Sequence, residues 1–132
     1  MPFWLGIDCG GTFLKAALFD QSGRARGVAR TGLAVLSERP GRAERDMEDL
    51  WRATAAVIAD VIARTGVDPA DIAGLGISAQ GKGAFLLDRD RRPLGRAVLS
   101  SDQRALDIVR AWQRQGIRHA VFSEAWLNGA GS

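Results

Sequence analysis

The chain has 132 residues, 46% hydrophobic and 25% charged, with a formal net charge of +3; this supports one buried core and at most one domain rather than a disordered chain. Its basic residues are scattered among acidic ones and its apolar segments are broken well short of about 20 residues, so neither nucleic acid nor a membrane is an expected partner. Cys9 is the single cysteine and no leader-like apolar stretch opens the chain, so a cytoplasmic location is the default expectation.

Phe3, Leu5 and Ile7 alternate with Trp4, Gly6 and Asp8, which predicts a strand ending on a carboxylate. The short doubly glycine segment Cys9-Gly10-Gly11-Thr12 leads into an alternating run from Phe13 to Phe19, so the two strands are expected to form a hairpin. Turn chemistry at Asp20-Gln21-Ser22-Gly23 then feeds a third strand, Arg26 to Thr31. Ala34 to Arg45 reads as irregular around Pro40-Gly41.

A helix follows. Leu50, Trp51, Thr54, Val57, Ile58, Val61 and Ile62 recur at helical spacing, Asp46 can cap the start, and Gly66 stands beyond the end. Ile72 to Ser78 reads as a short apolar strand, Ala84 to Leu87 as a further strand, and Ala97 to Leu99 as a brief one. Ser100 or Ser101 is expected to cap a second helix with Ala105, Leu106, Ile108, Val109 and Trp112 inward, ended by Gly116. The order predicts an α/β fold, a mixed sheet covered by helices. Trp4, Trp51 and Trp112 are expected in the core, and Cys9 as a packed turn residue. The tail, residues 117–132, has no clear period and is expected to be poorly ordered; it contains His119 and Trp126, for which no role is assigned.

Two segments carry the chemistry. In Asp8-Cys9-Gly10-Gly11-Thr12, with Lys15 beyond, paired glycines let the backbone approach a phosphate chain and present N–H donors, Thr12 adds a hydroxyl and Lys15 a charge. Asp8 can supply an oxygen to Mg²⁺, which keeps much of its water and needs few protein ligands. The pattern is not a Walker loop, which would need Gly-Lys-Ser/Thr, and a plain hairpin beside a solvated aspartate would also explain these residues. In Ser78-Ala79-Gln80-Gly81-Lys82-Gly83, Gln80 offers a donor and an acceptor and Lys82 three donors at a strand end, a set suited to hydroxyls and a carbonyl or carboxylate; a tight surface turn is the bland alternative.

Together these segments resemble the FGGY carbohydrate kinases, whose first strand carries Asp-x-Gly-Gly/Thr-Thr/Ser and whose sugar site begins after a strand ending Ser-x-Gln. Gln80-Gly81-Lys82-Gly83, Leu86-Leu87-Asp88, Pro93-Leu94-Gly95 and Leu99-Ser100-Ser101-Asp102 look most like the L-xylulose/3-keto-L-gulonate kinase branch, and Pro40-Gly41-Arg42-Ala43-Glu44-Arg45-Asp46 is similar to the family's Pro-Gly-x-x-Glu-x-Asp stretch. The resemblance implies an incomplete half-domain of the ribonuclease-H-like, actin-like ATPase fold over 1–116. It implies ATP and Mg²⁺ at Asp8, Gly10, Gly11, Thr12 and Lys15, with Asp8 on the metal, and a ketose or keto-sugar acid at Gln80, Gly81 and Lys82. Asp102 and Arg104 are further candidates for the cleft, although a first-turn position gives them a capping role as well. Ser100-Ser101-Asp102 stands where many members have Trp-x-Asp, so an aromatic ring on the sugar is not supplied, which would fit a sugar more polar than xylulose.

The general-base aspartate and the adenosine-holding domain are expected beyond residue 132. The chain alone is therefore expected to be inactive, and apolar surface that would pack on the missing part is expected to favour self-association. Two other readings stay open: a non-catalytic nucleotide- or sugar-binding fragment, and an acyl-phosphate-forming kinase of the same superfamily, which would leave Gln80 to Gly83 without a role.

Overall fold

A computed structural model describes residues 1–116; the expectations for the tail, His119 and Trp126 fall outside the described residues. Three strands, β1 (Phe3–Cys9), β2 (Phe13–Phe19) and β3 (Ala25–Gly32), form an antiparallel meander, and β5 (Ile72–Ala79) pairs parallel with β1. The sheet order is thus β3-β2-β1-β5. A pair of two-residue strands, β4 (Glu44–Arg45) and β6 (Ala97–Val98), forms a separate antiparallel ribbon.

Local chemistry explains these boundaries. At the β2–β3 turn the Asp20 carboxylate accepts from the backbone N–H groups of Ser22 and Arg24, and Gly23 takes a left-handed φ of 78°. Helix α1 (Met47–Thr65) is capped by Asp46, which accepts from the N–H groups of Glu48 and Asp49. Left-handed Gly66 closes it, donating to the Ile62 carbonyl.

Alternation gives the sheet two faces. Leu5, Ile7, Leu14, Ala16, Leu18 and Ala29 point to one face, where Val57 and Val61 of α1 complete the core. Asp8 and Lys15, directly opposite each other on β1 and β2, lie on the other face. Because α1 lies over β2 and β3, Leu75 and Ile77 of β5 remain exposed beside it. An open apolar groove of about 400 Å³ runs there, with Ile7, Leu50, Trp51, Ile77 and Phe85 in its walls.

Several expectations are corrected. Ala84 to Leu87 is not a strand: Ala84 makes a single bridge to Val98 and Leu87 one to Pro93, because the β4–β6 ribbon, not the main sheet, is the partner within reach. Glu44–Arg45, read as irregular, pairs with β6 and holds Leu36 through a further bridge. Helix α2 is Leu106–Arg114 and has no side-chain cap from Ser100 or Ser101. It buries no residue, so Leu106, Ile108, Val109 and Trp112 are not inward among the described residues. Trp4 and Trp51 are likewise outside the core, Trp51 being 69% exposed on the flank of α1 next to uncovered β5, while Trp4 stands on the face opposite α1 beside Gly74. No helix among the described residues is long and apolar enough to cross a membrane.

Candidate functional site

Parallel pairing of β1 with β5 sends both strands' carboxyl ends to the same sheet edge, so the Gly10–Thr12 turn and the Gln80–Gly83 segment become neighbours although distant in sequence. The Gln80 N–H donates to the Cys9 carbonyl at 2.9 Å. A Cβ added at Gly11 would stand 3.2 Å from Gln80 Oε1, so the glutamine side chain is packed directly on the turn. Gln80 Nε2 is buried and has no hydrogen-bond acceptor among the described residues.

The turn itself is pinned from within. Gly10 N–H donates to the Phe13 carbonyl, and a Cβ at Gly10 would lie 3.1 Å from that same oxygen, so bare backbone suits the position. The Thr12 carbonyl accepts from Leu33 N–H, tying the turn to the chain after β3. No described residue accepts a hydrogen bond from the N–H of Gly11 or Thr12. Across the adjacent ladder, Lys15 Nζ lies 3.5 Å from Asp8 Oδ2, with both side chains about half exposed. Asp8 and Lys15 line an open depression of about 460 Å³ floored by the small residues Gly6, Ala17 and Gly76.

These features supply what a polyphosphate with its metal needs: free backbone donors in the turn that follows β1, and one cation and one carboxylate on the adjoining ladder, over a floor of small residues flanked by Phe19 and Val28. Among the described residues no cluster of three or more histidines, cysteines or acidic residues could hold a metal by itself. A Mg²⁺ here would rely on Asp8 together with oxygens of its ligand and water.

Gly81, Lys82 and Gly83 continue from Gln80, and Lys82 takes a left-handed φ of 64°, uncommon for a residue with a side chain. Lys82 makes no ion pair or hydrogen bond among the described residues. Asp102 is placed differently. One of its oxygens accepts from Ala43 N–H at 2.7 Å, and Arg104 grips the carboxylate at 2.7 and 2.8 Å. Arg104 also reaches Glu44 at 2.6 Å, so this pair clamps the β4 segment to the start of α2. Those bonds, with the Arg104 bond first among them, hold the Asp102 carboxyl far below the usual carboxylate range, and Arg104 does the same more mildly for Glu44. The contacts give Asp102 a structural role as a clamp rather than the expected cap, since α2 begins only at Leu106 and has no side-chain cap, and no described bond joins it to Gln80 or Lys82.

Sequence reasoning passed over Arg45, one charged residue inside the Pro-Gly-x-x-Glu-x-Asp stretch. It is 2% exposed, and its Nη2 donates to the Gly11 carbonyl at 2.6 Å. Burial lowers its pKa, and burial also pushes the nearby Cys9 thiol up, against the opposing pull of Arg45.

Residues 3–128 match the family model described as the FGGY family of carbohydrate kinases, N-terminal domain. The chain is 56% identical over 122 residues to the probable L-xylulose kinase of Haemophilus influenzae, covering 92% of this chain and 25% of that protein. It is 54% identical over 120 residues to the L-xylulose/3-keto-L-gulonate kinase of Escherichia coli K12, covering 91% and 24% respectively. Among solved structures, ligand-bound xylulose kinase from Lactobacillus acidophilus superposes with a TM-score of 0.80 at 26% identity, covering 88% of this chain and 23% of that one. The chain thus spans about a quarter of the length of the curated relatives it matches. The mixed sheet with its covering helix is part of the actin-like ATPase fold of these sugar kinases, as the strand order suggested. On this match, which runs through nearly all of its length, the chain belongs to the FGGY family of carbohydrate kinases.

Proposed function

We propose that the chain is the amino-terminal part of an ATP-dependent kinase that phosphorylates a hydroxyl of a ketose or keto-sugar acid such as L-xylulose or 3-keto-L-gulonate. The observation that carries this reading is the shared sheet edge, where β1 delivers the bare glycine turn and β5 delivers Gln80 against Gly11.

ATP supplies the phosphoryl group, and this chain's residues contribute binding and charge. The Gly11 and Thr12 N–H groups, with the Thr12 hydroxyl and Gly10 backbone, would hold phosphate oxygens. Lys15 would offset their charge, and Asp8 would hold Mg²⁺. Gln80, Gly81 and Lys82 would line the sugar site, Lys82 favouring a carbonyl or carboxylate over a neutral alcohol. The strained backbone at Lys82 supports that assignment, since such positions are retained where the side chain must be aimed. Positioning and charge neutralisation dominate phosphoryl transfer, so these contacts are the share of catalysis expected from this quarter of the protein. The same reading carries a cytoplasmic setting with it, where ATP is available.

The 132 residues alone are expected to show no sugar-dependent turnover, because the base and the second wall of the cleft belong to the remaining part. The exposed apolar groove beside α1 is expected to favour self-association, visible by size-exclusion chromatography. The test joins this chain to the remaining three-quarters of the Escherichia coli kinase and follows ADP formation with L-xylulose and 3-keto-L-gulonate. Sugar-dependent turnover that Asp8→Ala abolishes supports the proposal. A folded hybrid without turnover would favour a non-catalytic binding role for this segment.

A further inference from the structure

Arg45 is a buried cation without a counter-ion among the described residues. Its Nη2 donates to the Gly11 carbonyl at 2.6 Å and its Nε to the Ala34 carbonyl at 3.3 Å, while Nη1 is buried without a partner among the described residues. No carboxylate lies within ion-pair distance of it among the described residues. Burying an arginine against two neutral carbonyls is costly, and arginine does not escape the cost by losing its proton. Helix packing does not require it either, since Asp46, not Arg45, caps α1.

The geometry of the turn suggests what the charge does. All described peptide bonds are trans, so the carbonyl of Gly11 and the N–H of Thr12 point in opposite directions from one planar unit. A guanidinium holding that carbonyl from the buried side turns the Thr12 N–H toward the outside, where no described residue accepts it. The glycines make the turn pliable, so an anchor is needed to keep the donor aimed.

We propose that Arg45 is the positioning residue of the glycine turn: it holds the Gly11 carbonyl inward, aims the Thr12 N–H at a bound phosphate, and places an uncompensated positive charge behind it. This rests on the reading that the turn binds the phosphates of ATP. Cationic charge behind backbone donors raises their attraction for an anion, and low-dielectric burial preserves that attraction against salt.

The test uses the ¹⁵N-labelled 132-residue chain titrated with Mg-ATP into the millimolar range, reading the amide signals of Gly11 and Thr12. The expected result is a response at both amides in the parent chain, with affinity weakened about tenfold or more in Arg45→Met. Arg45→Lys, which keeps the charge and one donor, should recover part of that loss. A purely structural arginine would lower the melting temperature of both variants and leave Mg-ATP affinity unchanged, which overturns the proposal. Should Arg45→Met not fold, Arg45→Gln decides: it keeps a donor for the Gly11 carbonyl and loses the charge, and parent-like affinity overturns the proposal. If the parent chain itself shows no response at Gly11 and Thr12, the phosphate reading of the turn has failed, a different outcome from a responding parent whose variants match it.

Discussion

Replacing Gly27 by alanine tests how closely α1 is seated on the sheet. An added Cβ on β3 would stand 2.5 Å from Thr65 Cγ2 and 3.7 Å from Val61 Cγ2, and the first distance is too short to survive. Thr65 cannot simply rotate away, because its hydroxyl donates to the carbonyls of Val61 at 2.8 Å and Ile62 at 3.1 Å. Either that hydroxyl gives up its bonds or the last turn of α1 lifts from β3. Overpacking of this kind costs about 1–3 kcal/mol, which for a small domain lowers the melting temperature by roughly 4–15 °C. The second half of the test is Thr65→Ser, which removes Cγ2 and keeps the hydroxyl. Alone it should cost about 0.8 kcal/mol for the lost methyl, yet combined with Gly27→Ala it should recover about 1 kcal/mol relative to additivity. Urea unfolding of the parent, both single variants and the double variant completes the cycle. Strict additivity, or a Gly27→Ala chain as stable as the parent, would refute the close seating of α1 on β3.

Three further outcomes are expected. Asp46→Ala removes the acceptor for the Glu48 and Asp49 N–H groups and should cost about 0.5–2 kcal/mol in urea unfolding; Asp46→Asn should restore most of it, and equal losses in the two would contradict the capping role. Asp102 and Glu44 have folded-state pKa values depressed below their ordinary ones, so their contribution to stability is complete above the unfolded range near pH ~4 and is lost as pH falls through the folded values. The parent should therefore weaken toward acid more steeply than Asp102→Asn, and identical acid limbs would count against the Arg104 clamp. Lys82→Gly should raise stability by up to about 1 kcal/mol by relieving its left-handed backbone, as Arg91→Gly should at its own φ of 63°; a loss at Lys82 in thermal melts would mean that the side chain is held by packing.

The meander and α1 were legible because each is written in local chemistry: Asp20 and Gly23 mark one turn, Gly10 and Gly11 another, and Asp46 and Gly66 bracket the helix. The helical period showed which side of α1 is apolar but not which strands lie beneath it. Trp51 sits in the apolar stripe and is still exposed, because the helix rests on β2 and β3 rather than β5. The short strand Glu44–Arg45 was invisible for a related reason, as it has too few residues to show a period and forms only because Ala97–Val98, read within the brief strand Ala97 to Leu99, arrives beside it. In the site, the residue types at Asp8 to Lys15 and at Gln80 to Lys82 stood out in sequence, whereas their meeting at one edge needed the parallel register. Arg45 ended a stretch read only as irregular; its buried side chain bonds a carbonyl thirty-four positions earlier in the chain.

The parallel seam between β1 and β5 also sets an order of events when the chain folds. Cys9 faces Leu14 across a tight turn, but it faces Ala79 only after the meander and α1 have been threaded between them. The first pairing closes a small loop and is fast; the second must wait for a long one, whose entropy is lost before any ladder bond compensates it. Pulse-labelled hydrogen exchange should accordingly find the Ala16 amide protected earlier than that of Ser78, which the register turns toward β1. A nascent molecule would then pass through a stage in which the turn that offers its amides to an anion is already shaped while Gln80 is still wandering, so the two halves of the edge mature at different times along one folding trajectory.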